Sequence, residues 1–133
     1  MAAIADIQQA LFARVATLTT SPSLPVAWPE VKFTPPASGK YLRVDFFSNR
    51  PRWEGMASGR VDQGLLQITV VWPKGRGLDA PAQIADAIIA HFPLAHVMRH
   101  GSAAVKVSGQ PWAASPLSET KQVLVPVTIP WMA

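Results

Sequence analysis

The stretch from Arg60 to Trp72 alternates Leu66, Ile68, Val70 and Trp72 with Gln67, Thr69 and Val71, a period of two that puts one set of side chains on one face of an extended strand. A second alternation lies upstream, where Leu42, Val44 and Phe46 interleave with Tyr41, Arg43 and Asp45. Two such runs separated by a polar connection predict an antiparallel pair whose apolar face must be covered by other elements. The connection, Ser48 to Ser58, contains Asn49, Arg50, Pro51, Arg52, Trp53, Glu54 and Gly55. Hairpin loops usually run to roughly two to five residues, so this one is expected to project from the body as part of a long β-hairpin.

Two amphipathic segments can supply the cover. Ile4, Ile7, Leu11, Val15 and Leu18 recur at helical spacing, which predicts a helix from about Ala2 to Leu18. Ser21-Pro22-Ser23-Leu24-Pro25 stops it, because proline lacks a donor and pushes the preceding residue toward extended backbone. Pro73-Lys74-Gly75-Arg76-Gly77 ends the second strand, and Asp79 is expected to cap a second helix that tolerates Pro81 in its first turn and carries Ile84, Ile88 and Phe92. Pro93 closes that helix; short strands are expected at about Ala95 to Arg99 and Ala103 to Ser108. With a short strand near Trp28 the order reads α-β-β-β-α-β-β-β. That order predicts an α+β fold, a mostly antiparallel sheet with two helices packed on it.

In the last segment Val123, Val125, Val127, Ile129 and Trp131 share one parity, while Pro126 and Pro130 share the other with Gln122, Leu124 and Thr128. Same-parity backbone donors point to the same lateral side of a strand, so both missing donors fall on one side. The expectation is an edge strand whose prolines block uncontrolled pairing, leaving a partner to dock by side chains or an interrupted ladder.

The chain has 133 residues, 49% hydrophobic and 15% charged, with no cysteine. That size and composition predict one domain, residues 1–133, outside the disordered class. Absence of cysteine excludes disulfide scaffolds, thiolate metal sites and thiol nucleophiles. The first twenty residues include Asp6, Gln8 and Gln9, and no apolar run approaches membrane-spanning length, so no membrane association and no general secretory route are expected. The formal charge is +4, and all of the excess sits between Lys40 and Arg76, where seven basic residues meet three acids. Those cations, Lys40, Arg43, Arg50, Arg52, Arg60, Lys74 and Arg76, are interspersed with Asp45, Glu54 and Asp62 and form no run, which argues against a DNA-binding tract.

No reactive constellation emerges. His96 and His100 have a spacing that suits two ligands on a helix, but Pro93 disfavours a helix there and no carboxylate lies between Asp86 and Glu119 to complete a site; surface or half-buried imidazoles are the simpler reading, as for His91. Gly101-Ser102-Ala103-Ala104 is no nucleophile elbow, and Lys74-Gly75-Arg76-Gly77 lacks the spacing and the Lys-Ser/Thr pair of a phosphate loop. Asp45 and Asp62 could meet across the hairpin, yet Arg43 and Arg60 beside them make charge pairing the simpler role. No catalytic, cofactor or metal residue is assigned, and the chain is not expected to be an enzyme. Among the tryptophans, Trp72 and Trp131 follow the buried parity and are expected in the core. Trp53 belongs to no periodic segment, so it is either an exposed anchor among Arg50 and Arg52 or a ring folded back on its own hairpin.

In the order of its elements, and in the stretches Tyr41 to Phe47, Gly59-Arg60 through Trp72-Pro73, and Asp79 to Phe92, the chain resembles the small tail-terminator and minor tail proteins of lambda-like, long-tailed bacteriophages and prophages. The pattern covers nearly the whole chain and rests on architecture, with no catalytic signature. What the resemblance implies is a structural protein of the virion tail, assembled in the bacterial host cytoplasm. Such proteins form a homo-oligomeric ring, commonly a hexamer, that caps the tail tube, stops its polymerisation and meets the head-tail connector, with nucleic acid only passing through. Combined with the charge pattern, it makes Arg50, Arg52, Trp53, Arg60, Lys74 and Arg76 the expected interaction residues, toward copies of the chain or acidic tail neighbours. The rival readings are a small-ligand enzyme using His91 or His96 as base, and a basic nucleic-acid-binding module.

Overall fold

The computed structural model describes residues 3–20, 23–53 and 60–133, with backbone alone for Arg52, Trp53 and Arg60. The chain runs through α1 (Ile4–Ala16), β1 (Val26–Ala27), β2 (Tyr41–Trp53), β3 (Arg60–Pro73), α2 (Asp79–His91), β4 (Val97–His100), β5 (Ala103–Val107), β6 (Trp112–Ala113), β7 (Leu117–Ser118) and β8 (Gln122–Met132). The strands form one curled sheet in the order β1-β2-β3-β8-β5-β4, with β6 and β7 also paired to β8. Every pairing is antiparallel except the short parallel contact of β1 with β2. The fold is therefore the expected α+β class.

Parity places the core. Leu42 and Val44 of β2, Leu66, Ile68 and Val70 of β3, and Val125, Val127, Ile129 and Trp131 of β8 pack in one cluster with Ile7, Leu11 and Val15 of α1 and Ile84 and Ile88 of α2. Each of these aliphatic side chains, fully removed from water, contributes on the order of 1.5–3 kcal/mol before entropy is charged. Trp72 and Trp131 are core residues, as their parity requires. The α1 stripe is buried at Ile7, Leu11 and Val15, but Ile4, at the start of the first turn, is exposed. Trp131 stacks on Phe46, ring centroids 5.5 Å apart and planes 10° from parallel. The stack is possible because Gly64, opposite Ser48, leaves room where a Cβ would come within 2.7 Å of the Trp131 ring.

Several expectations are corrected. β8 is no edge strand: it pairs with β3 from Gln63↔Met132 to Pro73↔Gln122, and its other side meets β5, β6 and β7. The ladder on one side of β8 is nonetheless interrupted, as the shared parity of its prolines predicts. Pro126 and Pro130 both face the side of the short strands, where their carbonyls accept from the N–H of Ala114 at 2.8 Å and of Ser108 at 3.0 Å. The interruption is filled by the chain's own residues 103–118, which supplied the two short strands that periodicity had no length to reveal. Likewise β2 runs on to Trp53, so Ser48 to Trp53 are strand and not turn, with a register irregularity between Asn49 and Arg52. The rest of the expected turn, residues 54–59, lies outside the described residues. Asp79 does not cap α2; it occupies the first helical turn, and Leu78 is the cap position without a side-chain bond. There its carboxylate still favours the positive end of the helix dipole.

Candidate assembly interface

Potential chemistry is dispersed by the fold. Asp45 pairs in register with Gln67 and Asp62 lies five residues away with opposite parity, so the two carboxylates face opposite sides of the sheet. Asp45 pairs instead with Arg43 on its own strand, Nε to Oδ2 3.5 Å, with both side chains partly exposed; such a pair is worth about 0–1 kcal/mol. His91 is committed to structure: its Nε2 lies 2.9 Å from the Arg14 carbonyl and 2.9 Å from Thr17 Oγ1. Burial pushes its pKa below the ordinary histidine value; the hydrogen bond to the Arg14 carbonyl opposes this, and the Arg14 guanidinium and His96 reinforce it. Among the described residues no cluster of three metal-ligating side chains occurs, and no helix is long and apolar enough to cross a membrane.

A recess of about 540 Å³ at the start of β8 is lined by Glu119, Thr120, Lys121 and Gln122, which bring one carboxylate and one ammonium together without a histidine or second acid; two smaller recesses are more apolar. One of about 350 Å³ lies between α1 and the connector, walled by Phe12, Ala13, Trp28, Pro29 and Val31. Another, of about 250 Å³, lies between α2 and the β6–β7 region and has Asp86 as its one charged lining residue. Ligand sites usually reach roughly 300–1,000 Å³ with several convergent polar groups. Neither of the two smaller recesses brings an acid and a base together.

The expected interaction residues divide into two sets. Arg50 is exposed on β2, where its carbonyl accepts from Gln63 Nε2 at 3.3 Å. Arg52 and Trp53 end the same strand, and Arg60 begins β3 directly opposite Trp53. Lys74 and Arg76 are exposed in the turn after β3, whose left-handed glycines, Gly75 at φ 83° and Gly77 at φ 79°, let it reverse tightly. Arg60 and Pro73 are the two ends of β3, so at ~3.3 Å per residue the two sets stand roughly 40 Å apart. The fold thus separates what the sequence groups by proximity.

Two further cations join the second set. The backbone N–H of Lys74 donates to the Lys121 carbonyl at 3.2 Å, and Lys40 Nζ sits 4.7 Å from the centre of the Trp72 ring. Lys121 lies outside the basic stretch of the sequence, and only the Pro73↔Gln122 register brings it there. The helix-free face of the sheet adds apolar surface: Phe47, Trp112 and Leu117 are 48%, 50% and 55% exposed.

A family model described as phage tail terminator protein matches residues 6–131. The chain belongs to the phage tail terminator family. One solved structure, whose name assigns no function, superposes on this terminator with a TM-score of 0.80 at 32% identity, covering 95% of this chain and 92% of that one. A search of curated proteins returned no match. Tail terminators are structural components of the phage tail.

Proposed function

We propose that this tail terminator closes into a ring of identical copies that caps the tail tube, halts its polymerisation and presents its other face to the head-tail connector. The observation that carries this reading is the separation of the expected interaction residues into two sets at opposite ends of β3. A capping ring has two axial neighbours, and a subunit built on one long strand pair can address one at each end. Arg50, Arg52, Trp53 and Arg60 serve one end, Lys74 and Arg76 the other, each set complementing acidic groups on its partner. Ring closure itself needs heterologous patches related by rotation and no reactive centre.

The test is assembly with a purified tail tube protein from a long-tailed phage encoding a terminator of this family. Terminator added during tube growth is expected to shorten the tubes and to appear by electron microscopy as a ring on one end. Tubes of unaltered length with bare ends contradict the proposal.

A further inference from the structure

The two free edges of the sheet differ, and together they are suited to pair between copies. On one side β1 covers only Leu42 and Arg43 of β2, so no other strand among the described residues pairs with this side of β2 beyond Arg43. The Leu42 N–H donates to the Pro25 carbonyl at 2.9 Å, which fixes the outward parity. Val44, Phe46 and Ser48 therefore present N–H and C=O groups away from β3. Burial agrees, since Phe47, Ser48, Asn49 and Arg50 are all exposed, without the alternation of a covered strand.

At the opposite end of the sheet order, among the described residues, β4 pairs with β5 alone. The Val107 N–H donates to the His96 carbonyl at 2.9 Å, so His96, Met98 and His100 turn toward β5 while Val97 and Arg99 turn their backbone groups outward. Their side chains are exposed and lie opposite in parity to buried Met98. Asp45 and Phe47 on β2 likewise lie opposite in parity to the core residue Val44 and to Phe46, which packs against the core. Val97 and Arg99 thus share the helix-free face with Asp45 and Phe47.

We infer that the ring contact is an edge pairing in which β4 of one copy continues the sheet along the open part of β2, at Val44 to Asn49, of the next. The inference rests on the ring reading above and names its interface. Direction follows from symmetry. β2 and β4 run the same way within one copy, because three antiparallel steps from β2 through β3 and β8 to β5 are followed by a fourth to β4. A rotation about an axis along the strands preserves that direction, so the contact is parallel, as β1 already is on the same edge of β2. An antiparallel edge contact needs a reversal, which gives a two-fold dimer and no larger ring. The occupant is set by complementarity: outward donors and acceptors meet on both edges, Val97, 41% exposed, lies near Phe47, and Arg99 lies within diagonal reach of Asp45. An unpaired edge of this length invites association unless it is covered or blunted, and β4 of a second copy covers it.

Proline substitution separates this contact from the fold. Arg99→Pro and Ser48→Pro each delete one outward N–H and leave the donors of the chain's own ladders in place. Each variant is expected to retain wild-type circular dichroism and to assemble at least about tenfold more weakly by concentration-dependent mass measurement. Because the chain has no cysteine, Asn49→Cys combined with Arg99→Cys and a short bismaleimide is expected to give a covalent ladder reaching the full ring. Each single-cysteine variant stops at dimers. Rings at wild-type mass in both folded proline variants, or a double-cysteine pattern no longer than the singles, overturn the edge contact and leave the ring reading intact. A wild-type chain that remains at monomer mass at every concentration removes the ring reading and this contact with it. If both proline variants unfold, the cysteine pair decides.

Discussion

Arg14 and His91 each cap the helix that carries the other. The Arg14 guanidinium donates from Nε at 3.0 Å and Nη2 at 2.8 Å to the His91 carbonyl at the end of α2, and His91 Nε2 returns a hydrogen bond of 2.9 Å to the Arg14 carbonyl in the last turn of α1. A carbonyl only accepts, so Nε2 carries the hydrogen. A cation at a helix C-terminus also opposes the negative end of its dipole. Two helices that share a sheet face but lie 77 residues apart in sequence at this contact are thereby tied end to end.

Arg14→Ala removes both bonds to the α2 terminus. The expected loss is about 1–2 kcal/mol, since bonds to a charged donor are stronger than neutral ones but this pair is only part-buried. Chemical denaturation reads it directly, and an unchanged midpoint contradicts the capping role.

His91 gives the tie a pH dependence. Its pKa is lowered in the folded chain, first by burial, so the unfolded chain binds a proton that the folded one resists. Stability is then flat above the ordinary histidine pKa of about 6.5 and falls as pH drops below it toward the lowered folded value. His91→Gln, which keeps a donor for the Arg14 carbonyl but cannot titrate, is expected to flatten the melting temperature across that window. An equal slope in both proteins contradicts this assignment.

Gly64→Ala is expected to be among the most damaging single-methyl additions. Its Cβ would stand 2.0 Å from the Phe47 carbonyl oxygen and 2.7 Å from Trp131 Cζ2, and neither the paired backbone nor the stacked ring has space to yield. Overpacking of this kind costs about 1–3 kcal/mol and occasionally more. Loss of the Trp131 fluorescence environment should accompany the drop in stability. Wild-type stability would contradict the packing described.

The two basic ends should be separable. Arg52→Ala with Trp53→Ala is expected to weaken association at one end of β3, and Lys74→Glu with Arg76→Glu at the other, with circular dichroism unchanged in both. Pull-down against tube and connector proteins distinguishes them: each pair should lose one partner. Loss of both partners by either pair contradicts the division.

The strands that alternate cleanly were legible. Leu66, Ile68, Val70 and Trp72 declare their face because one residue of slip would expose all of them, and the α2 stripe of Ile84, Ile88 and Phe92 follows the same logic at helical period. What escaped was set by distant pairing. Pro126 and Pro130 marked a side of β8 where the ladder is interrupted, but sequence alone could not tell an open edge from one filled by residues 103–118. Ser48 to Trp53, part of the turn expected from Ser48 to Ser58, are polar and include Pro51, yet pairing with residues 60–64 holds them in strand. Lys121 joined the basic end only through the β3–β8 register, a contact that no local charge count reveals.

The most direct test of the account is the mass of the purified chain in solution as concentration rises. A closed ring predicts one discrete oligomer, a fixed multiple of 14.3 kDa, with an annular image and no larger species. A chain that stays monomeric throughout, or grows without limit into filaments, contradicts it.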